Sequence, residues 1–354
     1  MQKILSIIKS ALRPIKHVAE NSKEAIELKV IPLVSKSGFL SSVFYTFFST
    51  QFYREHKAVL SGRVAYAKSL NVINESSALL RRNTHRLEKG LIMRPRRPMF
   101  AADYIGETVS SYRLAVQSEM VGEDEKRWAT DVLNAYFDAV EVNDITSKYK
   151  QIFYSCRLEF DNTWIPYKYD ELSTKVVSYE QLLSVFKRRR SVRWYEDKQV
   201  PTKLIVKAIE AATLAPSACN RQPFRFVQLT DKEKVEKVAS FAMGTAGWIH
   251  SIQNLIVVVG SLEAYPKERD RHVIYIDGSL AAMQFMLACE SLDLATCPIN
   301  WPDVEQRENK MDKALHLKPY ERPIMLISVG YPDPSGKIPY SAKKASNVLL
   351  KEVK

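Results

Sequence analysis

Ala215-Pro216-Ser217-Ala218-Cys219-Asn220-Arg221-Gln222-Pro223-Phe224 is the stretch on which the reading of this chain turns. It follows Lys203 to Leu214, where Leu204, Ala208 and Ala212 share one helical face with Ile205 and Ile209 beside it. It precedes Phe224 to Leu229, a β-type run. The pattern predicts helix, loop, strand. Pro216 and Pro223 stiffen the loop. The Asn220 and Gln222 side chains each offer a donor and an acceptor, which suits the edge of a flavin or nucleobase ring. An ordinary polar loop shares this composition, so its meaning depends on what flanks it.

Upstream lies Lys187-Arg188-Arg189-Arg190-Ser191-Val192-Arg193. Several guanidinium forks and a hydroxyl within a few residues make a cradle for a dianionic phosphate, although such a run alone is usually a solvated basic face. Downstream, Thr230 with Glu233 predicts a capping box that opens the next helix. Asn254 to Gly260 reads as a fully buried strand, Asp277 to Leu292 as a helix apolar nearly all round, and Pro323 to Gly330 as another buried strand. After the apolar helix, Cys297-Pro298-Ile299-Asn300-Trp301 reads as a loop of backbone amides able to meet a ring system.

The first half has a different texture. Ile4, Leu5, Ile8 and Leu12 recur at helical spacing with Lys9, Arg13 and Lys16 between them, predicting a basic amphipathic helix from Lys3 to about Val18. The aromatic cluster Phe39, Phe44, Tyr45, Phe47, Phe48, Phe52 and Tyr53 follows. Together they fit either a membrane interface or packing on the protein's own core or on a second subunit. Leu79 to Pro98 is rich in arginine, a solvated helix end and loop on one reading and an anion site on the other. Asp103 to Ala139 is helical in pattern, with Trp128, Val132 and Tyr136 at successive i+4 positions and Asp124 and Glu125 favouring a helix start. Asn162 to Tyr169 reads as a connection, which puts a boundary at 165–178 between a mainly helical region, 1–170, and a second domain, 179–354.

The totals narrow the classes. With 354 residues, 46% hydrophobic and 26% charged, the chain can bury a real core. A net charge of +12 favours phosphates, an anionic membrane or nucleic acid, and does not choose among them. No nucleic-acid recognition motif accompanies the charge, so nucleic acid is set aside. The four cysteines match no CxxC or zinc spacing, which suggests reduced thiols in a cytoplasmic protein. No GxGxxG, GxxxxGK[ST] or HExxH occurs, so Rossmann, P-loop and zincin readings lose their support. No cleaved signal is apparent, and no uninterrupted apolar stretch reaches the roughly 20 residues of a spanning helix.

Taken in order, four features resemble the nitroreductase family over about Ser184 to Val353. They are the Arg-x-Ser-x-Arg start (Arg189 to Arg193), the Pro-Ser-x-x-Asn-x-Gln-Pro loop (Pro216 to Pro223), the Asp-led apolar helix, and the late strand closing at Gly330-Tyr331-Pro332 with Lys343-Lys344 beyond. The resemblance implies an α+β sandwich, a central mixed sheet flanked by helices, that forms a homodimer with one FMN at each subunit interface. It places Arg189, Arg190, Ser191 and Arg193 on the phosphate and ribityl chain. Pro216, Ser217, Asn220 and Gln222 then reach the flavin across the interface, Pro298, Ile299 and Asn300 lie near its face, and Lys343 replaces a late phosphate-binding arginine. It implies hydride transfer from NADH or NADPH to flavin N5 and on to an acceptor, with no metal and no protein nucleophile.

The departures are Ala218 and Cys219 in the loop, Lys343 where a fork is usual, and a short interval from Phe226 to Asp277 that reduces any lid. The first 165 or so residues resemble N-terminal extensions of some bacterial nitroreductase-like proteins encoded with surface-polysaccharide enzymes. That likeness implies a glycan, a lipid-linked intermediate or an anionic membrane surface, at the inner face of the membrane, as the partner of the segment from Arg81 to Arg97, and a small-molecule or glycan-related acceptor for the protein. The alternative is a flavin-binding protein without turnover, its N-terminal region serving as an interaction or membrane-docking module.

Overall fold

The computed structural model describes residues 29–70 and 77–353; the stretch from Lys3 to Val18 therefore lies outside the described residues. The chain divides into a unit at Met1–His56 and a unit at Lys57–Lys354. In the first, α1 (Gly38–Phe47) is capped by Ser37, whose side chain accepts from the Leu40 amide. None of its residues is buried, and Phe39 and Phe47 are 76% and 75% exposed, so this part of the aromatic cluster is not core. Its rings pack on one another instead, Tyr45 meeting Phe52 edge-on at 4.6 Å.

After α2 (Tyr53–Ser69), whose first turn belongs to the first unit, α3 (Ala78–Leu91), α4 (Ile105–Val116), α5 (Glu123–Ala139) and α6 (Asp144–Cys156) of the second unit enclose a core of their own. Leu80, Leu87, Ile105, Tyr112, Val132, Tyr136 and Phe153 are fully buried there. The helical run expected from Asp103 to Ala139 is two helices. Gly122 separates them, and the acids Glu123, Asp124 and Glu125 in the next turn favour a fresh N-terminus. The arginines of α3 are paired: Arg81 with Glu125, Arg82 with Glu107 and Arg86 with Asp103. Arg94, Arg96 and Arg97 are exposed on the loop beyond.

After α7 (Tyr179–Arg188) and α8 (Thr202–Thr213) come β1 (Phe224–Leu229), α9 (Lys232–Ala239), β2 (Asn254–Ser261) and α10 (Val273–Ser291). The chain continues through β3 (Ala295–Asn300), α11 (Glu305–Leu315), β4 (Glu321–Gly330) and α12 (Ser346–Leu349). The strands form a sheet in the order β1-β2-β4-β3. Strand side chains alternate between faces, and the sheet separates two cores accordingly. Ile256, Val258, Ile327 and Val329 meet Ile205, Ala208, Ala281 and Phe285 of α8 and α10. Leu255, Val257, Val259 and Leu326 meet Val235, Val238, Trp248 and Met311 on the other side. Full burial of each such aliphatic side chain contributes roughly 1.5–3 kcal/mol.

The expected α+β architecture is present, with helices on both faces. The four named strands pair antiparallel, and parallel pairing enters at the isolated bridge Ser191–Thr296. Three local expectations are corrected. Residues Cys297 to Asn300, read as loop, belong to β3. Pro298 is accommodated because β3 is an edge strand, where a missing N–H is tolerated. The cap of α9 is Asp231, which accepts from the Lys234 amide at 3.0 Å, one residue after the expected Thr230. The apolar helix begins at Val273, so Asp277 sits inside it and is 3% exposed. Glu268–Ser291 is long and apolar enough to cross a bilayer, but α10 packs on the sheet as a core helix.

Candidate functional site

The arginine segment leaves α7 and runs beside β3. The Val192 amide donates to the Thr296 carbonyl at 3.0 Å, and Ser191 pairs with Thr296. Tyr195 fixes the exit: its hydroxyl donates to the Val192 carbonyl at 2.7 Å and meets Ser328 Oγ at 2.7 Å. Arg193 lies over the Trp248 ring at 5.8 Å. Burial pushes the Cys297 thiol up, while the nearby positive charge of Arg193, a Ser191 hydrogen bond and Arg189 oppose the rise. Arg189, Ser191 and Arg193 thus stand beside the strand that carries Pro298, Ile299 and Asn300. Ile299 is buried and Asn300 exposed.

The residues present fit a phosphate-bearing cofactor. Among the described residues no carboxylate pairs with Arg189, Arg190 or Arg193, and buried Arg189 Nε and Thr296 Oγ1 have no partner. A buried polar atom without a partner costs about 1–3 kcal/mol. Several unneutralised forks at such a point favour a dianion. Lys343 is exposed in the segment after β4, and no contact ties it to the arginines among the described residues.

The ring-edge loop is held from within. The Ser217 hydroxyl donates to Asp277 Oδ2 at 2.7 Å, and the Ala218 amide to the same oxygen at 3.0 Å. The Gln222 amide donates to Ser217 Oγ at 2.8 Å, and its Nε2 to the Thr213 carbonyl at 2.8 Å. Cys219, Asn220 and Gln222 take φ of 53°, 51° and 48°, the left-handed region that non-glycine residues avoid. Such strain persists only where surrounding bonds over-determine it. Asp277 is the functional residue that sequence reasoning placed only as a helix leader. Its signal was available: an acid in the middle of a helix's apolar stretch needs a partner.

A second support comes from α3. Arg81 Nε donates to the Asn220 carbonyl at 2.8 Å, and its Nη1 meets Glu125 Oε2 at 3.2 Å. Burial pushes Glu125 up to about 6, with Arg81 opposing the rise. A cavity of about 450 Å³ opens here, lined by Arg81, Glu125, Arg221, Gln222, Arg225 and Glu321 among others.

Register puts the loop and the arginine segment at opposite corners of the sheet. Thr296 faces Val329, Val329 faces Asn254, and the adjacent Leu255 faces Leu229, at the far end of β1 from Phe224. Three strand spacings across and five residues along give a separation of roughly 20 Å. The arginine segment and the strand from Pro298 to Asn300 are brought together; the loop from Pro216 to Gln222 is held by Asp277 at the other corner.

A family model described as the nitroreductase family matches residues 186–246 and 241–331. A protein of Archaeoglobus fulgidus named "Putative NADH dehydrogenase/NAD(P)H nitroreductase" is 31% identical over 157 residues, covering 43% of this chain and 86% of its own length. An FMN reductase [NAD(P)H] of Bacillus subtilis is 28% identical over 174 residues, covering 45% of this chain and 69% of its own. The solved structure of an FMN-dependent nitroreductase from Clostridium difficile R20291 is 25% identical, covers 45% of this chain and 92% of its own, and has a TM-score of 0.40.

Proposed function

Because the chain belongs to the nitroreductase family, we propose that it is an FMN-dependent oxidoreductase using NADH or NADPH, working as a homodimer. The observation that carries this reading is the corner-to-corner placement of two constellations, each incomplete alone. One protomer's Arg189, Arg190, Ser191 and Arg193 would hold the phosphate and ribityl chain. Pro216, Ser217, Asn220 and Gln222 would come from its partner. The likeness to the NAD(P)H nitroreductase relative of Archaeoglobus fulgidus and the FMN reductase of Bacillus subtilis supports the nicotinamide reductant and, for the latter, FMN.

The bound flavin supplies the hydride chemistry. The protein's residues bind, orient and shield. The arginines neutralise the phosphate, and β3 offers the backbone from Pro298 to Asn300 beside them. Asp277 holds Ser217 and the Ala218 amide, so the loop meets a ring edge with its polar atoms already placed, which lowers the ordering cost of binding. The dimer is supported by α10, where Ile276, Leu280 and Met283 form an apolar stripe at helical spacing, 52%, 43% and 37% exposed.

Purified protein is expected to be yellow, and NADH or NADPH should bleach it under anaerobic conditions. A colourless protein that takes up no added FMN contradicts the proposal. Reduction by dithionite but by neither nicotinamide points instead to flavin binding without turnover.

A further inference from the structure

The family match begins at residue 186, yet the loop assigned to the flavin is braced by a residue far upstream of it. We infer that Arg81, on the helical N-terminal region, is a positioning residue that fixes the flavin loop in its left-handed turn. The inference rests on the proposed role of Ser217 to Gln222.

The loop turns through Cys219, Asn220 and Gln222, all left-handed. On the sheet side, Asp277 and Thr213 secure Ser217, Ala218 and the Gln222 amide nitrogen. These bonds leave the Asn220 carbonyl and the Gln222 side-chain oxygen to be satisfied from elsewhere. Arg81 reaches both: Nε donates to the Asn220 carbonyl at 2.8 Å, and Nη2 to Gln222 Oε1 at 3.4 Å. The rest of the fork goes to Glu125 at 3.2 Å. One planar cation therefore spans a backbone carbonyl, a side-chain amide and a carboxylate, which a lysine ammonium on a flexible stem does not reproduce.

Arg81 is itself held. Its guanidinium lies over the Trp128 ring at 5.4 Å, and Trp128 Nε1 donates to Glu88 at 2.9 Å. The Ser77 hydroxyl donates to Glu125 from the start of α3. The Arg81 and Glu125 side chains are 16% and 13% exposed, so the bonds are shielded from water. Two helices of the N-terminal region, α3 and α5, thus converge on the turn that presents Ser217 and Asn220. This gives the helical region a task in the cofactor site: it sets loop geometry without touching the cofactor.

The test compares full-length wild type, Arg81→Met and Arg81→Lys, with Arg189→Ala as a reference. Arg81→Met keeps an unbranched stem against Trp128 and removes the donors. The readouts are FMN affinity by flavin fluorescence, visible circular dichroism of bound FMN, and the melting temperature of the flavin-free protein. Both Arg81 variants are expected to lose about tenfold or more in affinity and to alter the flavin dichroism; Arg81→Met also lowers apo-protein melting, because the shielded Glu125 loses its partner, whereas Arg81→Lys keeps the charge and changes melting little. If Arg81→Met does not fold, Arg81→Lys decides, because it keeps the charge and loses the fork. Wild-type affinity and dichroism in a folded Arg81 variant, beside a weakened Arg189→Ala, would overturn the inference and leave the proposed function standing. A wild type that binds no FMN would overturn both.

Discussion

Arg189→Ala combined with Arg193→Ala is expected to weaken FMN binding by a factor on the order of 10² to 10⁴, whereas Lys343→Ala weakens it less than about fivefold. The contrast follows from geometry. Each arginine removed takes away charge-assisted hydrogen bonds worth about 1.5–3 kcal/mol, and about 1.4 kcal/mol is tenfold in affinity. Both residues flank Ser191 beside β3, where Arg189 Nε and Thr296 Oγ1 lack partners among the described residues. Lys343 is an exposed point charge on the segment after β4, and an exposed charge pair contributes at most about 1 kcal/mol. Flavin fluorescence titration of the three proteins measures the difference. Equal affinities would mean that the phosphate lies elsewhere.

The second large effect concerns α10. Leu280→Glu with Met283→Glu is expected to convert the dimer to a monomer, seen by light scattering, and to cost the protein its flavin. Both side chains are on the protomer surface, so the substitutions leave the sheet-facing residues Ala281, Ala282 and Phe285 in place. The protomer should fold normally by circular dichroism. Between two protomers the same carboxylates would be buried without partners, at a penalty of several kcal/mol per charge. A dimer with full flavin would place the interface on another surface.

Much of this was legible in the sequence because it is local or periodic. The apolar runs of β2 and β4 read as buried strands since both faces of the sheet are covered, and the loop from Pro216 to Pro223 read correctly between α8 and β1. Pro298 concealed β3, since its lack of an N–H is harmful inside a sheet and harmless at an edge. Asp231 took the cap expected of Thr230 because adjacent oxygens compete for one helix end. The brace of Arg81 on Asn220 was out of reach. It joins residues 139 apart in sequence, and an arginine-rich helix gives no sign of which arginine turns inward.

The account's central claim is that each flavin site is built from two protomers. A chain carrying Arg189→Ala and Arg193→Ala, and a second carrying Ser217→Ala and Asn220→Ala, should each bind FMN poorly. Unfolded and refolded together in equal amounts, they form mixed dimers in which one site has an intact arginine cradle and an intact loop. Random association then restores about a quarter of the wild-type sites, provided subunits pair without preference. The measurement is bound FMN and NAD(P)H-dependent bleaching in the mixture. Recovery near a quarter is the predicted result, and a mixture no better than its two components would contradict the claim.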